Sequence, residues 1–252
     1  MKIALSCPSV RYYSIDIRSD TFSNTDEKEA KEAARVDFIE KLFWTLDVLQ
    51  ALYVCEGGCL MRVGYAASDD QSPAAGEYVS QIVAGNPNKH EVHASGKRPY
   101  VVACLDPEMF PTGHLPDDED RIVAHMAQLV KYVRDGKDAA GHLLILETGR
   151  QLSCPGEQEL TVDVVAAGVS DKSAADARIE FQRAFSGRKR AYERLLEQFF
   201  SCEQTAGGKC AATPTAAETH QGPVTLNERK EDAWWMASSS VEVTFMITCR
   251  QK

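Results

Sequence analysis

The segment Val241–Ile247 constrains the fold most, because it alternates between apolar and mostly polar side chains. Apolar residues stand at every second position, namely Val241, Val243, Phe245 and Ile247. This period of two is typical of a β-strand with one buried face. A single strand is not stable in water, so this one must join a sheet whose other strands lie elsewhere in the chain.

The residues before this strand have a different composition. Ala, Gly, Thr, Glu and Pro dominate from residue 202 to residue 232, and large apolar side chains are almost missing. Such a composition is typical of a flexible surface segment. We therefore predict a core domain over residues 1–201, a flexible segment over 202–232, and a C-terminal strand over 233–252 that rejoins the core sheet. The order of elements indicates no internal repeat.

Periodic patterns define the remaining elements. Alternation from Tyr13 to Ile17 predicts a strand, and apolar residues at steps of three and four predict long helices. The helices are expected over 27–56, 118–135 and 173–201, and an antiparallel hairpin over 143–166. The predicted fold class is α+β: a single domain in which three long helices pack on a mixed or antiparallel sheet, with a tethered C-terminal strand.

Charge and hydropathy exclude two classes of partner. The chain has 28 Lys and Arg against 37 Asp and Glu, a formal net charge of −9, which is unfavourable for binding nucleic acid through its phosphates. Its longest apolar runs span about six residues, whereas a membrane helix needs roughly 20. We expect no nucleic-acid partner and no membrane span.

The amino-terminal residues and the cysteines predict the compartment. No apolar segment of the secretory type precedes Arg11, so the eight cysteines are expected as reduced thiols in the cytoplasm. A mitochondrial location is the alternative, with residues 11–14 as a processing site, although Asp16 and Asp20 are unusual in a targeting segment.

Two histidines and two cysteines have the ligand types of a zinc site. Cys55 and Cys59 are separated by three residues, and His90 and His93 by two. Four such ligands could hold zinc. The alternative is that Cys55 pads a helix face and that both histidines are solvated.

Three residues define an enzyme hypothesis. Asp106 and Glu147 each follow a strongly apolar strand, and His114 lies in a proline-rich loop. Two carboxylates at strand ends could share acid–base work or hold a divalent metal. The alternative is that Asp106 begins a turn and Glu147 ends a strand in solvent. No common nucleotide-binding or hydrolase motif occurs, and no cofactor is expected.

The adjacent tryptophans indicate a binding role. Trp234 and Trp235 cannot both face the same core, so one is expected to be available to a partner, since Trp is common at interfaces. Together with Val241, Val243 and Phe245 of the closing strand, they are the predicted binding residues.

The order of these elements resembles that of the HORMA-domain family, in particular its autophagy-initiation type. The segments that carry the resemblance are 13–17, 27–56, 118–135, 143–166, 173–201 and 241–247. The resemblance implies a non-enzymatic adaptor that assembles a multiprotein complex, with a second HORMA-type chain as a candidate partner. However, the loop Gln151–Glu157 has no aromatic residue, whereas the autophagy subunit has an aromatic finger in its corresponding loop.

Two functional hypotheses follow. In the first, the protein is an adaptor that binds another protein at a sheet edge, at its tethered strand and through exposed aromatics. In the second, it is an α/β enzyme that uses Asp106, Glu147 and His114. The first is preferred because no catalytic motif supports the second.

Overall fold

A computed structural model of the chain describes residues 2–23, 26–65, 77–82, 90–105, 145–147, 149–202, 209–215, 224–229 and 232–250. The strands in these ranges are β1 (Ile3–Leu5), β2 (Ser9–Ser23), β3 (Tyr53–Cys55), β4 (Leu60–Tyr65), β5 (Tyr78–Ile82), β6 (His90–Leu105), β7 (Ile145–Leu146), β8 (Arg150–Leu152), β9 (Gly156–Ser170), β10 (Phe200–Cys202), β11 (Lys209–Pro214), β12 (Val224–Arg229) and β13 (Asp232–Arg250). The helices are α1 (Glu27–Leu52) and α2 (Ala174–Phe199).

The chain divides into two compact units. The first unit consists of Ala4–Gln50 and Val54–Glu147, and the second of Met1–Ile3, Ala51–Tyr53 and Thr148–Lys252. The described residues are mostly β, with two helices and several separate sheets. The predicted single α+β domain with three long helices on one sheet is therefore wrong. The predicted core of residues 1–201 includes parts of both units, and the predicted helix 118–135 lies outside the described residues.

Two long antiparallel strands form the centre of the first unit. Strand β2 pairs with β6 from Ser9 opposite Cys104 to Ser23 opposite His90. Strands β4 and β5 pair antiparallel with β6, and the short β7 runs parallel to the start of β2. Helix α1 contacts this sheet, since Thr21 Oγ1 of β2 donates to the Ala30 carbonyl at 2.9 Å.

Local sequence features explain where helix α1 begins and which of its faces is buried. Its first turn is capped by Asp26, whose Oδ1 accepts from the Glu29 amide at 2.7 Å and so satisfies an amide that has no partner within the helix. One face is buried, and its members recur at helical spacing: Ala30, Ala34, Phe38, Leu42, Leu49 and Leu52. The turn after β3 contains Gly57 and Gly58 at φ of 66° and 78°, a left-handed conformation that favours glycine.

The second unit is centred on β13. This strand pairs antiparallel with β9 from Trp235 opposite Ser170 to Cys249 opposite Gly156. Strands β11 and β12 pair antiparallel with β13 as well. Helix α2 covers the inner face of this sheet, where the ring of Tyr192 lies 5.9 Å from that of Phe245. At Gly168, a Cβ atom would overlap the backbone of α2, so only glycine fits this close approach.

The C-terminal segment forms part of a long strand, and the segment before it contains strands as well. Val241–Ile247 lies within β13, which joins a sheet along its length. The segment 202–232, predicted to be flexible, contains β11 and β12. The bond between Cys210 and Cys249 also ties β11 to β13. Detachment of β13 would therefore disrupt three strand pairings and a covalent link.

Within the described residues, the two strands of the predicted hairpin 143–166 do not pair with each other. Strand β7 pairs with β2 in the first unit, while β9 pairs with β13 in the second unit. Residues 143–144, the start of the predicted hairpin, lie outside the described residues. The hairpin prediction failed because two neighbouring apolar segments were assigned to each other, although each has a partner far away in sequence.

The two units repeat the same order of elements, which the sequence analysis missed. Each of the first elements recurs 147 residues later: Ser9–Ser23 as Gly156–Ser170, Glu27–Leu52 as Ala174–Phe199, and Tyr53–Cys55 as Phe200–Cys202. The two-stranded pairs also correspond, since β1 pairs with β3 and β8 pairs with β10. The central register is the same, with Ser9 opposite Cys104 and Gly156 opposite Cys249.

Individual contacts also recur between the units. Lys41 Nζ of α1 donates to the Arg18 carbonyl at 2.8 Å, and Arg188 of α2, 147 residues later, donates to the Val165 carbonyl. In both units a basic side chain of the helix thus donates a hydrogen bond to a backbone carbonyl of the long strand. Such coverage is one way in which proteins protect a sheet edge from pairing with another chain.

Candidate functional site

The solvent-facing side of the β9–β13 pair, here called the outer face, is the candidate site. Along β9 the side chains alternate strictly between buried and exposed positions. The outer face consists of one side of each strand: Glu157, Glu159, Thr161, Asp163, Val165, Ala167 and Val169 of β9, and Met236, Ser238, Ser240, Glu242, Thr244, Met246 and Thr248 of β13. The opposite side is the core that helix α2 covers.

Two carboxylates lie directly opposite each other at the centre of the outer face. Asp163 of β9 is the cross-strand partner of Glu242 of β13, and both are exposed. The next pair along the strands, Thr161 and Thr244, joins its hydroxyl groups at 2.8 Å. Like charges directly opposite each other on a sheet destabilise the pairing. The register thus places two acids side by side on this surface.

The equivalent position in the first unit has opposite charges. Asp16, which corresponds to Asp163, is the cross-strand partner of Lys97, and the carboxylate of Asp16 also pairs with Arg18 at 2.7 Å. The same place in the repeated fold thus has a compensated acid in one unit and two acids in the other. This difference distinguishes the outer face of the second unit from a generic sheet surface.

Apolar side chains lie beside the acids. Val165 is 56% exposed and Val169 is 53% exposed, so both present apolar surface on the outer face. Val169 is the cross-strand partner of Met236, and Trp234 precedes Met236 on the same side of β13 by the alternation of the strand. The outer face therefore has an acidic part around Asp163 and an apolar part around Val169.

Helix α2 holds the backbone of β9 beneath this surface. The phenol of Tyr192 donates to the Asp163 carbonyl at 3.3 Å. Burial, with a smaller contribution from the nearby carboxylate of Asp163, raises the pKa of Tyr192 to about 12. The phenol consequently stays protonated and able to donate at neutral pH.

The predicted binding residues divide between the two sides of β13. Val241, Val243 and Phe245 are buried in the core of the second unit, so they cannot contact a partner while the strand is paired. Trp235 alternates with them on the inner side, and Trp234 lies on the outer side. Both tryptophans are half-buried.

The predicted catalytic residues are not brought together in the described part of the chain. Asp106 and His114 lie outside the described residues. Glu147 is engaged locally, since its Oε1 accepts from the amide and the hydroxyl of Ser6. Its carbonyl also accepts from the buried Arg11 at 2.9 Å. These contacts fix the end of β7 against β2, which is a structural role.

The four predicted zinc ligands have other partners. Cys55 bonds to Cys104 and Cys59 bonds to Cys7. His93 contacts the Asp20 carboxylate at 2.7 Å through Nδ1, and His90 begins β6 opposite Ser23. Since disulfide sulfurs are not thiolate ligands, these residues do not form a zinc site.

A different cluster of cysteines was missed by the sequence analysis. The sulfur atoms of Cys202, Cys210 and Cys249 lie within 4.8 Å of one another, which no other group of three Cys, His, Asp or Glu ligands does among the described residues. All eight cysteines are paired in disulfides. The expectation of reduced, core-filling thiols is thus not met.

Comparisons with family models, with curated proteins and with solved structures yield no match. The resemblance to the HORMA family stays a prediction, although the two strands of the hairpin 143–166 that contributed to it do not pair with each other within the described residues. Neither of the described helices is both long and apolar enough to span a bilayer.

Proposed function

We propose that the protein is a non-enzymatic interaction module that binds a basic segment of a partner protein on the outer face. The observation that carries this proposal is the pair of like charges, Asp163 opposite Glu242, where the first unit has Asp16 opposite Lys97. A Lys or Arg of the partner would supply the positive charge that Lys97 supplies in the first unit. It would thereby relieve the repulsion between the two acids.

The apolar part of the surface favours the same class of partner. Lys and Arg have long apolar stems that lie along hydrophobic surface while the charged group stays near carboxylates or water. Val165, two residues along β9 from Asp163, supplies such surface beside the acid, and the exposed Val169 supplies more toward the end of the strand. A segment in which basic and apolar residues alternate would therefore match both parts of the outer face.

The net charge of the chain supports the proposal as well. At −9, the protein attracts cationic partners over a range of about 8 Å at physiological ionic strength, and such attraction mainly accelerates association. Binding should consequently weaken as salt is added.

Binding to the face is favoured over strand addition at the free edge of β9. The carbonyl of Val165 accepts from Arg188, and that of Asp163 accepts from Tyr192. Both acceptors belong to the backbone that an added strand would need. Since side chains of helix α2 already donate hydrogen bonds to both carbonyls, we propose that the partner contacts the side chains of the outer face.

A binding measurement with matched variants tests the proposal. The probe is a synthetic peptide of alternating Lys and Leu, and its affinity is measured by fluorescence anisotropy. Replacing one acid of the central pair, Glu242→Gln, should weaken binding about fivefold, or about 1 kcal/mol. The control Glu197→Gln removes an exposed acid from α2 and should leave affinity unchanged.

A second pair of variants tests the apolar contribution. Val165→Ser should weaken binding because the lysine stems and leucines lose apolar surface. Ile179→Ser is the control, since Ile179 of α2 is exposed to 59% but lies away from the outer face. Equal affinities for Glu242→Gln and Glu197→Gln, together with equal affinities for both serine variants, would rule out the outer face as the binding surface.

We further propose an oxidising compartment as the place of action. Four disulfides persist in oxidising environments and are rare in the cytosol. The cytoplasmic prediction depended on reduced thiols, so the pairing of all eight cysteines removes its support.

A further inference from the structure

Four cysteines of the second unit converge at one end of its sheet. Cys210 of β11 lies directly opposite Cys249 of β13, with Cα atoms 4.0 Å apart. Cys202, at the end of β10, bonds to Cys154, which precedes β9. Because the sulfurs of Cys202, Cys210 and Cys249 lie within 4.8 Å of one another, the two disulfides are neighbours and not isolated crosslinks.

The first unit has four cysteines at corresponding places in its fold, but pairs them differently. Cys7, Cys55, Cys59 and Cys104 correspond in chain order and in their flanking elements to Cys154, Cys202, Cys210 and Cys249. The first unit joins Cys7 to Cys59 and Cys55 to Cys104. The second unit instead joins Cys154 to Cys202 and Cys210 to Cys249, so the first cysteine in chain order bonds to the second and the third bonds to the fourth. One fold therefore accommodates two pairings of its four sulfurs.

We propose that Cys154, Cys202, Cys210 and Cys249 form a thiol–disulfide exchange site that reacts with small monothiols, which enter as a mixed disulfide and leave unchanged. In this site the observed pairing converts into the pairing of the first unit, with Cys154 joined to Cys210 and Cys202 joined to Cys249. The conversion is an isomerisation, so it consumes neither oxidant nor reductant.

The exchange proceeds in three thiolate attacks. The external thiolate attacks the sulfur of Cys154, forms a mixed disulfide and releases Cys202 as a thiolate. The Cys202 thiolate attacks the sulfur of Cys249, forms their bond and releases Cys210. The Cys210 thiolate then attacks Cys154 in the mixed disulfide, forms the last bond and returns the external thiolate. Each step forms one S–S bond and breaks one.

Burial determines where the exchange begins. Cys249 is fully buried and Cys210 is 8% exposed, so their bond is shielded from an external thiol. Cys154 and Cys202 are only half-buried, which leaves their bond open to attack, and attack on Cys154 releases the Cys202 thiolate beside Cys210 and Cys249. The second step needs no external reagent, because Cys202, Cys210 and Cys249 already lie close together.

Disulfide mapping of the full chain tests the site. The protein is incubated with or without reduced glutathione, quenched with acidic N-ethylmaleimide and digested with trypsin. Cleavage after Arg150, Lys172, Lys209 and Lys230 places the four cysteines on different peptides. We expect only the observed pairing without the thiol, and both pairings with it.

The variant Cys210→Ser tests the second step, formation of the bond between Cys202 and Cys249, without an added thiol. In Cys210→Ser, the freed thiolate of Cys249 should attack Cys202, so that Cys202–Cys249 forms and Cys154 becomes alkylated. A single pairing of the wild-type chain at every glutathione concentration would overturn the proposal. It would likewise be overturned if Cys210→Ser kept Cys154–Cys202 alone, or if the new pairing joined Cys154 to Cys249.

Discussion

At the residue scale, one cross-strand position has opposite charges in the first unit and like charges in the second. Lys97 lies opposite Asp16 in the first unit, and Glu242 lies opposite Asp163 in the second. Two facing carboxylates do not stabilise a sheet. We therefore propose that a partner contacts this position. The neighbouring pair, Thr161 and Thr244, joins its own hydroxyl groups.

Tyr192 gives a prediction for alkaline pH. Its pKa in the folded chain is about 12, against about 10 in an unfolded chain. Between these values the unfolded state releases the proton while the folded state keeps it, so the free energy of unfolding should fall as pH rises from about 10 to 12, by up to about 2 to 3 kcal/mol. Denaturant unfolding of the wild type and of Tyr192→Phe measures this.

The comparison between the wild type and the Tyr192→Phe variant is the control. Lysines and other tyrosines also titrate at this pH, and their effect is common to both chains. The Tyr192→Phe variant should therefore show the shallower dependence on pH. The same slope in both chains would show that the phenol keeps no raised pKa in the folded state.

At the element scale, local patterns were predictable from the sequence, and strand partners were not. The buried side chains Tyr13, Ile15 and Ile17 of β2 follow from alternation, and the Asp26 cap follows from its spacing to Glu29. Alternation depends on neighbours in sequence, whereas pairing depends on residues far away. This is why Ile145 and Leu146, which pair with β2, were assigned to the wrong strand.

The internal repeat was missed because it preserves burial more than residue identity. Ala34 corresponds to Phe181 and Thr45 to Tyr192, and all four are buried. One identical signal was nevertheless present: the tetrapeptide Leu-Ser-Cys-Pro occurs at residues 5–8 and again at residues 152–155. This signal could have indicated both the repeat and the shared positions of the cysteines.

The basic residue that covers the edge of β9 gives a second prediction. Arg188→Met removes the donor to the Val165 carbonyl, so we expect the free energy of unfolding to fall by about 1 kcal/mol. The newly exposed edge should also increase self-association. Denaturant titration and sedimentation velocity measure the two effects.

Arg178→Met is the matched control, because Arg178 is exposed on the same helix. It removes the same charge and should change neither stability nor association. If both variants behaved alike, charge alone and not coverage of the edge would account for the effect.

At the scale of the whole molecule, the disulfides determine which environment suits the fold. We expect no reaction with a thiol reagent when the purified chain is denatured without a reductant, because all eight cysteines are paired. Prior reduction should yield eight reactive thiols, the number of cysteines in the chain. Eight reactive thiols in the unreduced protein would instead support the cytoplasmic prediction.

Binding on the outer face is the central claim, and an NMR titration tests it most directly. The full chain, labelled with ¹⁵N, is titrated with the alternating Lys and Leu peptide, and amide shifts are followed residue by residue. We predict that the largest changes fall on Thr161–Val169 of β9 and on Ser238–Thr244 of β13. Changes concentrated on helix α2 or in the first unit, with these strands unaffected, would contradict the account.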